Sequence, residues 1–287
     1  MEAKLLLIHT LSPLHAGTGQ GVGVIDLPIA REKATDIPYL PGSTLKGVFR
    51  DACEPAKLRQ QIFGPDTNNA ELYAGAVNFT DARLLLMPIR SLRGVFAWVT
   101  CPLLLNRLRR DLEFIPSTEL HALIAPPTSD DECLVAEQNS SLIFQVNNVD
   151  QVVLEDLPIP AKPSPEVTEL AEWLRQRLFS DDPAWQAALT ARLCVVSDDV
   201  FSFLLETATE IIARISMDEK TKTAATGALW YEEALPTETV LASLVVAEPR
   251  QSSSNDIFTL IQTLTSKPLQ FGGHATIGRG LCQTFLV

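Results

Sequence analysis

Between positions 17 and 23 every second residue is glycine, in the run His15-Ala16-Gly17-Thr18-Gly19-Gln20-Gly21-Val22-Gly23. A helix cannot absorb glycine at that density, and a strand built this way has almost no side chain to pack. The segment therefore reads as a loop that lets something approach the backbone. It follows a strand-length run of aliphatic and polar residues, 4–11, which Pro13 stops. The dinucleotide fingerprint GxGxxG fails here, because Val22 and Val24 stand where its third glycine would fall, and no GxxxxGK[ST] run exists elsewhere. What remains is a set of N–H groups able to lie against phosphates, with an ordinary surface loop as the alternative.

The rest of the chain carries a sizeable core. It has 287 residues, 46% of them hydrophobic, enough to fold without disulfide or metal staples and too apolar for disorder. Twenty-three Lys and Arg against 35 Asp and Glu leave a net charge of −12, which argues against a non-specific DNA coat. A local cationic strip still binds a polyanion, because the Debye length is only about 10 Å at ordinary salt. The five cysteines, Cys53, Cys101, Cys133, Cys194 and Cys282, are far apart and form no CxxC pair, so neither a zinc knuckle nor a disulfide framework is indicated. No stretch has the apolar length of a signal peptide or a membrane span. We expect a cytoplasmic protein with no membrane partner.

Strand and helix patterns alternate without the regular beat of a doubly wound parallel sheet, so a mixed α+β sheet is expected. Strands are expected at 76–87, 94–102 and 141–146, and helices at 103–112, 166–179, 184–193 and 256–264. A loop-rich middle contains Pro126-Pro127. Four prolines within 158–165 read as a connector, residues 226–247 as a β-hairpin turning at Leu235-Pro236-Thr237, and residues 269–287 as a last strand pair.

Two further segments hold chemistry. Ser43 reads as the N-cap of a helix through Lys46, Phe49 and Arg50. A helix start attracts an anion, Lys46 and Arg50 share one face, and Gly47 removes a side chain where a backbone can pass. An ordinary capped helix with solvated cations is the alternative. Near the C-terminus, Gly272-Gly273-His274 leads to Gly278-Arg279-Gly280, a second glycine-rich loop with one cation at its centre, or else a plain hairpin turn.

Taken together, the runs Leu11-Ser12-Pro13-Leu14-His15-Ala16-Gly17-Thr18-Gly19, Val24-Ile25-Asp26-Leu27-Pro28-Ile29, Tyr39-Leu40-Pro41-Gly42-Ser43 and Leu45-Lys46-Gly47 resemble the RAMP superfamily of CRISPR effector proteins. Gly227-Ala228-Leu229-Trp230-Tyr231-Glu232-Glu233, Leu235-Pro236 and the stretch from Gly272 to Gly280 agree with it. The likeness is strongest to the repeated backbone subunit of the Cmr (type III-B) complex. Residues 90–200 carry no matching motif.

That resemblance implies a modified ferredoxin-like, RNA-recognition-motif-like palm in a single domain, built from the N- and C-terminal parts. It implies a β-hairpin thumb near 215–247 and an inserted helical and loop region near 103–200. Its implied partners are CRISPR guide RNA, target RNA, further copies in a head-to-tail stack and other Cmr subunits. The implied activity is metal-dependent cutting of complementary target RNA, with Mg or Mn as the divalent cation. Asp26 corresponds to the cleavage residue and is the candidate metal ligand. His15, Gly17, Gly19, Ser43, Lys46, Arg50, Gly278, Arg279 and Gly280 are expected at the RNA.

RNA is cut when a 2′-hydroxyl attacks the adjacent phosphorus, which requires positioning, proton transfer and charge stabilisation. A lone carboxylate with an ordinary pKa near 3.9 is a weak base at neutral pH, which favours metal assistance at Asp26. No second histidine is readable beside His15, so no acid–base pair is assigned. Lys46, Arg50 and Arg279 are expected to neutralise phosphates without sequence preference. Trp230 and Tyr231 either stack on a distorted nucleotide step or pack within the hairpin. Glu232 and Glu233 are candidates to assist at the metal. A binding-only scaffold and a stand-alone processor of CRISPR precursor RNA are the competing functions.

Overall fold

A computed structural model describes residues 1–19, 21, 23–65, 73–115, 127, 129–137, 140–217, 224–248 and 252–287. In chain order the elements are β1 (Glu2–Thr10), β2 (Tyr39–Leu40), α1 (Gly42–Ala52), α2 (Ala56–Phe63), β3 (Val77–Phe79), β4 (Ala82–Arg90), β5 (Phe96–Thr100) and α3 (Pro102–Leu112). Then come β6 (Cys133–Ala136), β7 (Phe144–Val146), β8 (Val149–Leu154), β9 (Leu157–Ser164), α4 (Pro165–Leu178), α5 (Pro183–Arg192), β10 (Leu193–Val195) and α6 (Asp198–Ala208). The chain ends with β11 (Glu210–Met217), β12 (Ala224–Ala234), β13 (Val240–Ala247), α7 (Ser254–Leu264), β14 (Leu269–Gln270) and β15 (Leu281–Leu286).

Four antiparallel strands, in the order β15-β1-β13-β4, make the centre. Helix α1 connects the first of them in sequence to the second, and α7 the third to the fourth, which is the ferredoxin-like arrangement. The pattern of β13, VLASLVVA, is buried along almost its whole length. Such a strand needs partners on both edges, and β1 and β4 supply them. Helices α1 and α7 cover one face, with Leu45, Phe49, Ile257 and Ile261 in the main core. Phe49 lies flat on Phe79 at 5.1 Å. The opposite face buries Leu5, Leu7 and Trp98 against Leu105 and Leu108 of α3 and Leu170 and Leu174 of α4.

The mixed α+β class is therefore correct, while three local expectations change. The middle of the chain extends the sheet beyond β4 through β5, β10, β6, β9, β8 and β7, so it adds strands as well as helices. Residues 157–164 form a strand despite their prolines. The half from Leu157 to Pro160 pairs only with β8 and the half from Ala161 to Ser164 only with β6. Each half thus has one unpaired edge where a missing N–H costs nothing. Residues 226–247 do turn at Leu235-Pro236, but the two arms part company: β12 pairs with β11 and β13 enters the central sheet. The turn is tied to the end of β1, since Thr10 Oγ1 donates to the Pro236 carbonyl and accepts from the Thr239 N–H. The hairpin's two described arms are accordingly Glu210–Met217 and Ala224–Ala234. Its residues 218–223, and Pro126 of the expected middle loop, lie outside the described residues.

Candidate functional site

The free edge of β12 organises the site. Consecutive odd residues of a strand point their N–H and C=O groups to the same side, and at Tyr231 and Glu233 all four groups are taken. The Tyr231 N–H donates to Asp26 Oδ2 at 2.8 Å. Its carbonyl accepts the Leu27 N–H, and the Glu233 N–H donates to the Leu27 carbonyl. The Glu233 carbonyl accepts from His15 Nδ1 at 2.7 Å. With a strand rise of about 3.3 Å per residue, Asp26 and His15 are anchored within roughly 10 Å of each other. Asp26 is exposed, and its Oδ1 has no hydrogen-bond partner among the described residues.

A carbonyl only accepts, so Nδ1 of His15 carries the proton and Nε2 is the open end of the ring. Gly17 lies directly against that nitrogen, and a Cβ there would collide with it. The first glycine loop is pinned by pairing of Gly17 with Ile29, by the Ala30 N–H to the Ala16 carbonyl, and by the Gly21 N–H to the Asp26 carbonyl. Gly19, at φ +95°, and Gly23 face open space, while Gln20 and Val22 lie outside the described residues.

The second glycine loop packs against the first. The Gly273 N–H donates to the His15 carbonyl and the Gly280 N–H to the Pro13 carbonyl. Gly272, at φ +71°, comes so close to the His15 carbonyl that any Cβ would clash. This contact carries His274 onto His15, with ring centroids 4.7 Å apart and an interplanar angle of 32°. His274 is the site residue that sequence reading missed. Its only sequence signal is the neighbouring glycine pair, because the partner ring lies at the other end of the chain.

The expected cations do not form one set. Arg279 is nearly buried and pairs with Glu210 at the hairpin base, Nη1 to Oε2 3.3 Å. Lys46 and Arg50 stand on α1. Arg50 Nη1 donates to the carbonyls of Gly64 and Pro65. Burial lowers the Lys46 pKa, Arg50 lowers it further, and Glu248 partly offsets both. Ser43 is exposed inside the first turn rather than at the cap; Pro41 is the N-cap and its ring offers no acceptor. A carboxylate from the β3–β4 turn takes the capping role, Asp81 Oδ1 accepting the Gly42 N–H at 2.8 Å. Gly47 and Gly278 both face open space.

The hairpin acids separate in role. Glu233 is 2% exposed and accepts from the Ile29 N–H, Arg31 Nη2 and Thr209 Oγ1, so it is saturated by groups that brace the Asp26 loop. Glu232 accepts from Trp230 Nε1 at 2.8 Å, Arg214 Nε at 3.2 Å and His274 Nδ1 at 3.1 Å. Burial pushes the Glu232 pKa up, but the Trp230 hydrogen bond, the His274 charge and Arg214 together hold it below the ordinary carboxylate value. The indole N–H of Trp230 is thus engaged inside the hairpin, whereas Tyr231 is exposed. Among the described residues no group of three or more His, Cys, Asp or Glu is assembled to hold a metal ion.

The sequence profile of the RAMP superfamily matches residues 7–283. The chain belongs to the RAMP superfamily. This RAMP is 36% identical over 296 residues to the CRISPR system Cmr endoribonuclease Cmr4 of Pyrococcus furiosus, covering 100% of this chain and 96% of that protein. The crystal structure of oligomeric Cmr4 from Pyrococcus furiosus superposes with a TM-score of 0.73 at 31% identity, over 100% of this RAMP and 98% of that chain. A chain of the type III-B Cmr-beta complex in its apo state shares the fold, with a TM-score of 0.75 at 21% identity over 100% and 97% of the two chains.

Proposed function

We propose that the chain is a guide-RNA-binding backbone subunit of a Cmr-type effector that cuts complementary target RNA by attack of a 2′-hydroxyl. The observation that carries this reading is the β12 edge, where backbone groups of Tyr231 and Glu233 hold an exposed carboxylate and an oriented imidazole beside two touching glycine loops. The relative at 36% identity is named an endoribonuclease, which supports the same activity. The oligomeric relative supports stacking of copies, and a head-to-tail stack suits a subunit that holds RNA without reading its sequence.

In this reading Asp26 takes up the 2′-hydroxyl proton, supported by its exposure and by a carboxylate oxygen with no partner among the described residues. It offers one carboxylate with a free oxygen, a donor set that suits a Mg or Mn ion held mainly by phosphate oxygens and water rather than one caged by protein. Such an ion supplies positive charge to the phosphate in flight. The described residues include no helix long and apolar enough to cross a membrane. Five free, buried cysteines fit a reducing cytoplasm.

The test is assembly of the chain with its partner subunits, guide RNA and complementary target, with divalent cation or with chelator. Cuts at one regular spacing, with 2′,3′-cyclic phosphate and 5′-hydroxyl ends, are expected only with the cation. Ends bearing 5′-phosphate would contradict the 2′-hydroxyl mechanism. Target binding without any cut would favour the scaffold reading, and cutting of precursor RNA by the isolated chain in chelator would favour the processing reading.

A further inference from the structure

We infer that His274 donates the proton to the leaving 5′-oxygen during RNA cleavage, an inference that rests on the ribonuclease reading above. Three consecutive residues of β12 hold three groups: the Tyr231 N–H fixes Asp26, the Glu232 side chain fixes His274, and the Glu233 carbonyl fixes His15. The ionised Glu232 carboxylate only accepts, so the His274 Nδ1 carries hydrogen and Nε2 is the end that faces chemistry. A carboxylate behind an imidazole is a common device for fixing tautomer and ring direction. Here Arg214 and Trp230 fix the carboxylate in turn.

Accessibility separates the two adjoining rings. The His274 side chain is 27% exposed, whereas the whole His15 residue is 7% exposed. His274 also holds a left-handed backbone at φ +66°, between Gly272 and Gly278. A side chain kept where glycine would be easier points to a use for it. The two tilted rings lie 4.7 Å apart and Gly17 covers His15 Nε2, so His15 is not the acid or base that acts opposite His274. Asp26, on the β12 edge, takes the attacking side, and His274 takes the leaving side.

The step balances. The 2′-oxygen bonds to phosphorus as its proton passes to the Asp26 carboxylate. The P–O5′ bond breaks with its electron pair on O5′, which takes the Nε2 proton of His274 in its imidazolium form and leaves the neutral Nδ1–H ring that Glu232 holds. Water then removes the proton from Asp26 and restores one to His274.

A target RNA with sulfur replacing the bridging 5′-oxygen at the cut position tests this, because a thiolate leaves without a proton donor. In the assembled complex, His274→Ala and His274→Gln are expected to slow cutting of the ordinary target about 100-fold or more. Both are expected to cut the 5′-thio target within about threefold of the wild-type rate, the recovery a missing general acid predicts. Asp26→Asn is expected to be slow on both. Equal loss on both targets in both His274 variants, as a misfolded loop would give, or no loss on the ordinary target, would overturn the assignment. A wild-type complex inert on both targets would instead overturn the ribonuclease reading beneath it.

Discussion

At the scale of single residues, two glycines separate packing from function. Gly17 lies on His15 Nε2 and has no room for a methyl group. Gly47 sits inside α1, where an added Cβ would meet nothing within 4 Å beyond the helix's own backbone. Alanine in a helix interior is worth about 0.5–1 kcal/mol over glycine. Gly47→Ala should therefore raise the melting temperature of the isolated chain, and under the proposed reading, with RNA passing through that open space, it should weaken guide RNA binding. Gly17→Ala should lower the melting temperature, because the methyl group must push the buried His15 ring aside, and should cut the cleavage rate at least tenfold. Thermal melts and guide-binding titrations of the two variants check this; a Gly47→Ala chain that binds guide like the wild type would remove α1 from the RNA path. Both glycines stood out in the sequence, but only the structure distinguishes the crowded one from the open one.

At the scale of elements, the hairpin base carries a pH-dependent contact. The folded-state pKa of Glu232 is lower than its ordinary value of 4.5, so the carboxylate contributes stability above that value. The contribution is lost as the pH falls through the lowered folded value. Glu232→Gln should melt at a lower temperature than wild type at pH 7, and the gap should close as the pH is taken below 4.5. A gap that stays constant down to about pH 3.5 would contradict the linkage. The elements also show what local pattern reveals. Helices α3, α4 and α7 match expectation because each has a clear apolar stripe, and α5, which buries only Leu189, because it has a recognisable start, Asp182 accepting from the N–H groups of its first turn as Ser164 does for α4. The proline-rich strand β9 and the true partners of β12 and β13 depend on which edges other segments leave free, and that is settled only by the assembled sheet. Asp26 was legible from motif likeness, whereas His274 required knowing that the chain's two ends meet.

At the scale of the whole molecule, one continuous sheet joins the ferredoxin-like centre to the middle of the chain, and β11 and β12 form a separate pair. Strand β12 pairs with β11 along one edge and holds the candidate-site loops along the other, so a load on the hairpin reaches Asp26, His274 and His15 directly. With a net charge of −12 and no single cationic set formed by Lys46, Arg50 and Arg279, the proposed RNA binding leans on backbone amides rather than on a basic face. The central claim is that the exposed carboxylate on this edge carries out the cut. It is tested most directly by the single-turnover cleavage rate of an assembled complex bearing Asp26→Asn, with guide and target affinity measured alongside. Asparagine keeps an oxygen for the Tyr231 N–H, so assembly and both affinities should match wild type while the rate falls by about 10³-fold or more. Cleavage at the wild-type rate would contradict the account.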